Sequence, residues 1–477
     1  MDKSLLYELI EARKDAFTDI SDRIWEYAEL SMEEHKSVAC YVDFLQREGF
    51  RVCERIAGIP TAFSASYGEG KPVIGILAEY DALSSLSQKP EKSARDPLIP
   101  GGNGHGCGHN LLGAGALAAA VAVKEMIKKG LLSGTVVLYG CPGEEGCAGK
   151  AFMARDGMFR DLDAALTWHP SDVNEITSGS NAASLQIEYT FTGLASHAAG
   201  CPEMGRSALD AAELMNVGVQ FLREHTKRTD SIHYSFLDVG GPSPNVVQPT
   251  ARVLYMVRSD NVRNAKKLLA RVDNVARGAA LMTDTSVSIR QIDGTSNTLS
   301  NEVLEKLLYE NFLQAGIPAY TQEEWDLAQA VFDTYEKPGL PGTATAMFAD
   351  VCRFVDEKTQ RGTRPVNDFL MPYVHSNIMS QGSTDVGDVS WLTPTAQFDA
   401  VTWPACAPGH SWQVVSVGKS SFAHKGMLFA GKVLAGTVAD LMENPELLAS
   451  ARAEFAITAR EGYDCPLGPE VEPNPII

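Results

Sequence analysis

The alternation of hydrophobic and polar positions predicts a helical N-terminal region followed by short buried strands. Leu5, Leu6, Ile10 and Phe17 recur near helical spacing, so residues 4–48 are predicted to be helical. Four continuous apolar runs of strand length follow, at 73–78, 135–139, 164–168 and 398–403. Helical stretches separate the first three runs. This alternation predicts an α/β fold in which a mostly parallel central sheet is flanked by helices on both faces.

Residues 184–297 have a different rhythm and are predicted to form a separate, inserted domain. Their predicted elements are strand 186–191, helix 205–225, strand 231–237, strand 251–258, helix 262–282 and strand 285–291. This β-α-β-β-α-β order is that of a ferredoxin-like α+β domain. The sequence therefore predicts a discontinuous domain over 1–183 and 298–477, with the second domain inserted over 184–297.

The stretch between the inserted domain and the last predicted strand is less clearly patterned. A helix is predicted from Asn301 to Gln314, whereas 337–342 and 360–372 are rich in Gly, Pro and charge and are predicted to be loops. The most apolar later segment, 114–123, is Ala/Gly-rich and shorter than the roughly 20 residues that a membrane span needs. It is predicted to be a buried helix.

Composition narrows the class of protein. The chain has 477 residues, 44% hydrophobic and 21% charged, which is typical of a globular protein with more than one domain. Its net charge of −19 and its lack of a basic run argue against nucleic acid or membrane partners. Nine scattered cysteines without a CxxC pair, and an N-terminus without an apolar signal core, predict a reducing, cytoplasmic location.

Acidic and imidazole side chains follow the four predicted strands of the first domain. They are Glu79 and Asp81 after the first strand, Glu144 and Glu145 after the second, His169 after the third and His410 after the fourth. Ligands of open α/β sheets bind beyond the carboxyl ends of the strands, so these side chains are expected to meet there. Each one alone is more often a cap or part of a solvated turn. Their joint placement is what indicates a site.

A Gly-rich segment before a helix adds sulfur and nitrogen ligands. Cys107 has glycine on both sides and His109 lies two residues on, so a thiolate and an imidazole can converge on one ion. The alternative is that Cys107 is a small buried hydrophobe, the usual fate of a free cysteine. Two divalent ions need several nitrogen, oxygen and sulfur ligands, together with a free carboxylate that deprotonates the attacking water. The residues after the strands supply these types.

Longer motifs resemble those of the aminoacylase, carboxypeptidase G and auxin-conjugate hydrolase superfamily of metallopeptidases. They are His105-Gly106-Cys107-Gly108-His109, Pro142-Gly143-Glu144-Glu145 and Trp168-His169-Pro170, together with the strings at 79–83, 383–391 and 423–427. The resemblance covers nearly the whole chain and is weakest in 315–372. It implies a metallopeptidase catalytic domain, an inserted lid or dimerisation domain, and two divalent metal ions, either zinc or manganese.

The resemblance also implies a role for each residue of the cluster. Cys107 is similar to the bridging ligand of the family, and the other implied ligands of the two ions are His109, Glu145, His169 and His410. Glu144 matches the general base that takes a proton from the attacking water. Asp81 matches the acidic residue that orients a neighbouring ligand. His105 and Asn110 are expected to shape the loop and to cap the following helix.

Three residues of the inserted domain match further family positions. His197 matches a histidine that reaches the active site, often that of a partner subunit, and stabilises the oxyanion. Asn245 and Arg258 match residues that hold the substrate carboxylate, for which the planar fork of arginine is suited. Without the resemblance, Arg258 would be interpreted as part of a surface salt bridge at a strand end.

Some positions depart from the pattern of the family. Many relatives have Asp where this chain has Asn110, and some supply an extra imidazole where it has Glu79. Glu79 is therefore expected to support the ligands rather than to bind an ion. His424 is a weaker alternative to His410 as the C-terminal ligand.

The resemblance implies an amidohydrolase that cleaves an N-acyl or N-aroyl amino acid with a free carboxylate, and p-aminobenzoyl-glutamate is the favoured substrate. A dipeptidase that acts on small, β-alanyl-type dipeptides is the alternative within the enzymes. An alternative outside the enzymes is a catalytically silent subunit that is paired with an active homologue. The intact Glu144 argues against this alternative. The expected assembly is a homodimer or a heterodimer with a homologous subunit.

Overall fold

The computed structural model describes residues 2–336 and 348–474. Its α-helices are α1 (Ser4–Glu11), α2 (Lys14–Tyr27), α3 (His35–Arg47), α4 (His109–Lys128), α5 (Gly149–Arg155), α6 (Ala208–Arg223), α7 (Val262–Thr283), α8 (Glu302–Ala315), α9 (Gln322–Phe332), α10 (Ala349–Lys358), α11 (Val386–Ser390), α12 (Trp412–Val417), α13 (Ser421–Glu443) and α14 (Pro445–Thr458). Its strands are β1 (Arg51–Glu54), β2 (Phe63–Glu69), β3 (Val73–Ala78), β4 (Gly134–Gly140), β5 (Ala164–Ser171), β6 (Glu175–Thr177), β7 (Ser180–Asn181), β8 (Ala183–Thr192), β9 (Ser231–Asp238), β10 (Thr250–Ser259), β11 (Ser286–Thr295), β12 (Met379–Ser380) and β13 (Thr395–Val401).

Seven strands form the central sheet, in the order β1-β2-β4-β3-β5-β13-β6. The four middle strands, which the apolar runs predicted, pair in parallel. The flanking pairs β1-β2, β2-β4 and β13-β6 are antiparallel. The sheet is therefore mixed, and the prediction of a mostly parallel sheet is wrong for its flanks. The flanking strands escaped prediction because β1 is mostly exposed and β6 has only three residues.

Helices α4 and α13 form the centre of the main core, packed against each other and against the sheet. The apolar segment at 114–123 lies within α4 and is buried throughout, as predicted. Among the described residues, α4 alone is long and apolar enough to cross a membrane by length and composition, and 89% of its most apolar window is buried inside the protein. That burial is typical of a core helix.

A second sheet of four antiparallel strands lies in the middle of the sequence, in the order β11-β8-β10-β9. Helices α6 and α7 interleave with these strands in the predicted β-α-β-β-α-β order, and the two helices contact each other. Alternate residues of β10, such as Val253, Tyr255 and Val257, belong to a core of this sheet and its helices. The borders at 184 and 297 stay a prediction.

The remaining regions agree with the sequence only in outline. The helical N-terminal region consists of three helices, and α8 corresponds to the helix predicted from Asn301 to Gln314. Residues 360–372 contain turns and irregular backbone, as predicted. The loop predicted at 337–342 lies outside the described residues.

Candidate functional site

The parallel strands β4, β3, β5 and β13 are adjacent, so their carboxyl ends lie along one edge of the sheet. Glu79 and Asp81 follow β3, and Glu144 and Glu145 follow β4. Strand β5 continues to Ser171, so that His169 lies within the strand rather than after it. The expected convergence at this edge is present in the structure, with one strand longer than predicted.

The Gly-rich loop reaches the same edge because Gly108 allows a tight turn before α4. Its backbone has a φ of +78°, in the left-handed region that favours glycine. A Cβ atom at this position would lie 2.9 Å from the Cβ of Pro170. This close approach places the start of α4, and with it His109, beside the end of β5.

Two groups of three side chains at this edge offer metal-ligand atoms within 4.8 Å of one another, and they share Cys107. The first group is Cys107, His109 and His169, in which the Cys107 Sγ lies 3.4 Å from the His169 Nε2. The second group is Cys107, Glu145 and His410, in which His410 Nε2 lies 3.4 Å from Glu145 Oε2. Two ions that share the Cys107 sulfur would fit these groups, whose donor types suit zinc-like divalent cations.

Hydrogen bonds fix the orientation of the imidazoles of His109, which is buried, and His169, which is partly buried. His109 Nδ1 lies 3.0 Å from Asp81 Oδ1, and His169 Nδ1 lies 2.6 Å from the carbonyl oxygen of Pro170. Both acceptors require the proton on Nδ1, which leaves the lone pair of each Nε2 free for an ion. Burial lowers the pKa of His169 to about 4, so this ring is neutral, as a ligand must be.

Asp81 holds the residues around these candidate ligands through three hydrogen bonds. Its carboxylate accepts hydrogen bonds from the backbone N–H of Glu145 and from the hydroxyl of Ser31, each at 2.9 Å, in addition to the bond with His109. Burial would raise the pKa of Asp81, but the hydrogen bond with His109 brings it down to about 2. The carboxylate is thus ionised and holds both a histidine and the loop that carries Glu145.

Two buried atoms of this cluster fit the presence of a cation. His109 Nε2 and Glu145 Oε1 have no hydrogen-bond partner among the described residues. His109 Nε2 lies 3.3 Å from Glu79 Oε2, but the contact lacks hydrogen-bond geometry. Buried polar atoms without partners are rare in proteins, and these two belong to different ligand groups. The donor set therefore fits a pair of divalent ions.

Glu144 lies beside the ligands without belonging to either group that contains Cys107. It forms a third cluster with Glu79 and His109 and lines the cavity at this edge. Burial, followed by the charges of Glu79 and Asp385, raises the pKa of Glu144 well above its usual value. A carboxylate of raised basicity is suited to accept a proton.

Comparison with known proteins decides the family. Residues 75–375 match Peptidase family M20/M25/M40. The chain is also 41% identical over 473 residues to one subunit of the p-aminobenzoyl-glutamate hydrolase of Escherichia coli (strain K12), with 98% of each chain covered. The chain belongs to Peptidase family M20/M25/M40. As a member of it, the chain is a metal-dependent hydrolase that acts on amides.

More distant relatives extend the comparison. Human Xaa-Arg dipeptidase is 26% identical over 475 residues, which cover 95% of this chain and 92% of the relative. An aminobenzoyl-glutamate utilization protein from Klebsiella pneumoniae superposes with a TM-score of 0.57 at 16% identity, over 88% of this chain and 98% of that one. A dinuclear metal-binding peptidase of the M20 family from Bacillus subtilis superposes with a TM-score of 0.52 at 18% identity, over 92% and 99%. These structures show that the fold is shared.

The residues of this M20 chain that the sequence placed on the inserted sheet do not join the cluster. His197 and Asn245 are exposed and lie on neighbouring loops, joined by a hydrogen bond from the N–H of Ala198 to the carbonyl oxygen of Asn245. Arg258 lies on β10, where it is half-buried and its Nε finds no hydrogen-bond partner within the described ranges. The cavity that contains the ligands is lined by none of the three.

We call the edge of the sheet at which the candidate ligands meet the metal edge. A buried lysine connects this edge to a distant segment, and sequence reasoning missed it. Lys150, fully buried on α5, places its Nζ 2.6 Å from Glu79 Oε1 and 2.5 Å from Asp385 Oδ1. Its backbone N–H also donates to Asp385. Glu79 thus lies between Lys150 and His109, and its supporting role stays a prediction. Lys150 lies six positions after Glu144 and Asp385 lies within the motif at 383–391, but no spacing rule connects them.

A second missed residue holds the loop that carries Glu144. Glu34 is fully buried and accepts hydrogen bonds from the N–H of Gly143 at 2.9 Å and from that of Met32 at 3.0 Å. Burial and the charge of Asp81 raise the pKa of Glu34 to about 8. Its acidic neighbour Glu33 looks the same in the sequence, so no local signal marks Glu34.

Three other polar residues have structural partners. His105 Nε2 lies 3.0 Å from the carbonyl oxygen of Ile24, which agrees with a loop-shaping role. Asn110 lies inside the first turn of α4 and donates to Ser21 and Gly418, so the expectation that it helps to cap this helix is wrong. His424 lies on α13, where it pairs with Asp22.

Proposed function

We propose that this M20 chain hydrolyses the amide bond of an N-acyl or N-aroyl amino acid, with p-aminobenzoyl-glutamate as the favoured substrate. Two zinc or manganese ions would be held by Cys107, His109, Glu145, His169 and His410. The two ligand groups joined at Cys107, with Glu144 beside them, carry this proposal. The choice of substrate is supported by the 41% identity to a subunit of p-aminobenzoyl-glutamate hydrolase.

Each residue of the site has a separate role in the proposed reaction. Divalent ions in such a site supply a lowered pKa of water and polarise the amide carbonyl. Glu144 takes the proton of the attacking water and delivers it to the nitrogen of the leaving amine. Asp81 keeps His109 oriented throughout. Because four of the five proposed ligands and Glu144 line one cavity of about 580 Å³, the scissile amide is expected to bind there.

We propose that His197 completes the site of a partner subunit. Its Nδ1 accepts hydrogen bonds from the N–H groups of Ala199 and Gly200, at 3.2 and 3.0 Å. The remaining proton therefore sits on the exposed Nε2, which can donate to the oxyanion. Asn245, on the neighbouring loop, and Arg258 would hold the substrate carboxylate, as the family resemblance implies.

An exposed apolar surface supports assembly through the inserted sheet, which would then serve as a lid and dimerisation domain. Leu214, Val217 and Phe221 lie at helical spacing on one face of α6, and Phe221 is 67% exposed. Strand β9, at the edge of the sheet, exposes Tyr234 and Phe236. Exposed edge strands and apolar stripes are typical of interfaces. We propose that a homologous chain covers them, either a second copy or a partner like a further subunit of the Escherichia coli hydrolase, which is 27% identical to this chain over 234 residues.

The test is turnover by the purified chain after reconstitution with zinc or manganese. Cleavage of p-aminobenzoyl-glutamate releases an aromatic amine and changes the absorbance. Glu144→Gln should lower kcat by about 10²- to 10⁴-fold with unchanged metal content, because it removes only the proton acceptor. The exposed residue Glu54 provides a control in Glu54→Gln, which should retain full activity. Full activity of Glu144→Gln would exclude the proposed role.

Dipeptide hydrolysis is the second candidate function, because the Xaa-Arg dipeptidases match along 95% of this chain. Higher kcat/KM on β-alanyl or Xaa-Arg dipeptides than on any N-aroyl amino acid would favour it. Activity only after addition of a homologous subunit would indicate the silent-subunit alternative. We also propose a cytoplasmic location, which the nine scattered cysteines without a CxxC pair support.

A further inference from the structure

One wall of the catalytic cavity presents polar side chains that the mechanism does not use. Asp399 on β13 is only 8% exposed, and its carboxyl group has no hydrogen bond or ion pair among the described residues. Gln397, two residues earlier, likewise has an unpartnered amide and lines the same cavity. Thr177 on β6 has a buried hydroxyl without a partner. We call these three residues the acceptor wall.

Strand register places the acceptor wall beside the ligands. Asp399 is the partner of His169 in the parallel pairing of β13 with β5, so their Cα atoms are about 4.8 Å apart. Gln397 is the partner of Thr177 in the antiparallel pairing of β13 with β6. Since residues two apart on a strand project to the same face, Gln397 and Asp399 point together into the cavity. The wall therefore contacts whatever lies next to His169.

Burial of an unpaired carboxyl group is costly unless a ligand supplies the missing partner. Folding does not explain this row of one carboxyl, one amide and one hydroxyl group, because each residue could be replaced by an apolar one at no loss of hydrogen bonds. They offer oxygen acceptors, and the buried carboxyl group of Glu175, the partner of Asp399 in the antiparallel pairing of β13 with β6, lies next to that of Asp399. The local field therefore favours a nitrogen donor over an anionic or nitro group.

We propose that the acceptor wall, with Asp399 as its specificity-determining residue, binds an amino group on the acyl half of the substrate. This inference rests on the proposed function, in which Asn245 and Arg258 hold the carboxylate of the other half. Because both lie outside the cavity, its walls are left for the acyl half. The amino group is an aromatic amine in a p-aminobenzoyl substrate and an ammonium group in an aminoacyl substrate.

The experiment compares matched substrate pairs that differ only in the amino group. One pair is p-aminobenzoyl-glutamate and benzoyl-glutamate, and the other is β-alanyl-glutamate and propionyl-glutamate. In the pair whose amino group fits the wall, kcat/KM should be about 10- to 100-fold higher for the substrate with the amino group than for the substrate without it. This is the effect of one hydrogen bond to a charged or strongly polar partner. The pair with the larger ratio identifies whether the source is an aromatic or an aliphatic amine.

Variants of the acceptor wall test whether it causes the ratio of kcat/KM between substrates with and without the amino group. Asp399→Leu should bring the ratio to within about 3-fold of one, and Asp399→Asn, which keeps an acceptor oxygen, should retain an intermediate ratio. Gln397→Leu, at a partly exposed position, should lower the ratio even if Asp399→Leu fails to fold. The surface variant Asp43→Asn should leave the ratio unchanged. A merely structural role would lower both members of a pair equally and leave the ratio intact.

Two failures are distinguishable. If the wild-type chain cleaves benzoyl-glutamate as well as p-aminobenzoyl-glutamate, and propionyl- as well as β-alanyl-glutamate, the hydrolase proposal stands and the acceptor wall is overturned. An unchanged ratio in both Asp399→Leu and Gln397→Leu overturns it as well. If the reconstituted chain cleaves none of the four acylglutamates, the proposed substrate class fails, and the inference about the wall fails with it.

Discussion

The polar residues at the metal edge of the central sheet are buried and paired, whereas those on the loops of the inserted sheet are exposed. At the metal edge, Asp81, Glu79 and Lys150 bury their charges in contacts with one another or with the candidate ligands. On the inserted sheet, His197 and Asn245 remain exposed, and Arg258 lacks a partner for its Nε in the part of the chain that the structure describes. The first region is organised within one chain, whereas the second presents groups outward.

This difference indicates which parts of the site need a second molecule. Buried charges with partners are preorganised, so we expect the candidate ligands to hold ions in a single chain. Exposed polar groups bind water until a substrate or another subunit replaces it. We therefore expect changes at the metal edge to alter metal binding and folding, and changes on the inserted sheet to alter turnover and assembly while metal content stays constant.

Replacement of the shared ligand should have the largest effect. Cys107→Ala removes a donor from both ligand groups at once. Loss of an outer-shell partner alone weakens metal binding by about 10- to 100-fold, so loss of this ligand should exceed that range and abolish turnover. Metal content after dialysis at fixed free zinc measures it, with Cys53→Ala, at an exposed thiol, as control. Two ions retained per chain in Cys107→Ala would contradict a bridging role.

Removal of the buried lysine should destabilise the fold. Lys150→Met leaves the carboxylates of Glu79 and Asp385 buried without their cation, which costs about 3–5 kcal/mol of unfolding free energy. Urea denaturation measures the change. Lys128→Met removes an exposed lysine 3.9 Å from Glu125 and should cost less than about 1 kcal/mol. Equal effects of the two variants would show that the buried network contributes nothing special.

The metal edge was predictable because its signals are local and its geometry follows from strand order. Continuous apolar strands identified β3, β4, β5 and β13, and the residues after them met because these strands are adjacent and parallel. The Gly-rich loop gave Cys107 and His109 by spacing alone. By contrast, the pairing of Lys150 with Asp385 spans 235 positions, and no periodic pattern carries such a contact.

The roles on the inserted sheet were available only from the family resemblance. His197, Asn245 and Arg258 have no common spacing, and the structure of one chain leaves them outside the cavity. Asp399 was missed for another reason. It lies within an apolar strand, where a single acidic residue only interrupts the run of hydrophobic positions. Its position beside a candidate ligand depends on the register with His169. Register is set by tertiary pairing, which the sequence of one strand does not specify.

A change at His197 should lower turnover without loss of metal. His197→Ala is expected to reduce kcat by about 10²- to 10³-fold, the effect of one oxyanion donor. If the histidine serves the partner's site of a homodimer, mixing this variant with Glu144→Gln should restore roughly a quarter of wild-type activity, because half of the dimers are then mixed and each mixed dimer has one intact site out of two. No restoration, with exchange of subunits verified, would mean that His197 acts within its own chain or not at all.

A change on the exposed stripe of α6 should have the smallest effect, because one contact among many is altered. Phe221→Asp is expected to weaken subunit association by about 10-fold, since burial of a charge replaces burial of an aromatic ring. Sedimentation at several concentrations measures it, and turnover per dimer should be unchanged. Leu313→Asp, at an equally exposed leucine of α8, is the control. If both variants associate like the wild type, α6 is no interface, and the outward-facing groups of the inserted sheet await substrate alone.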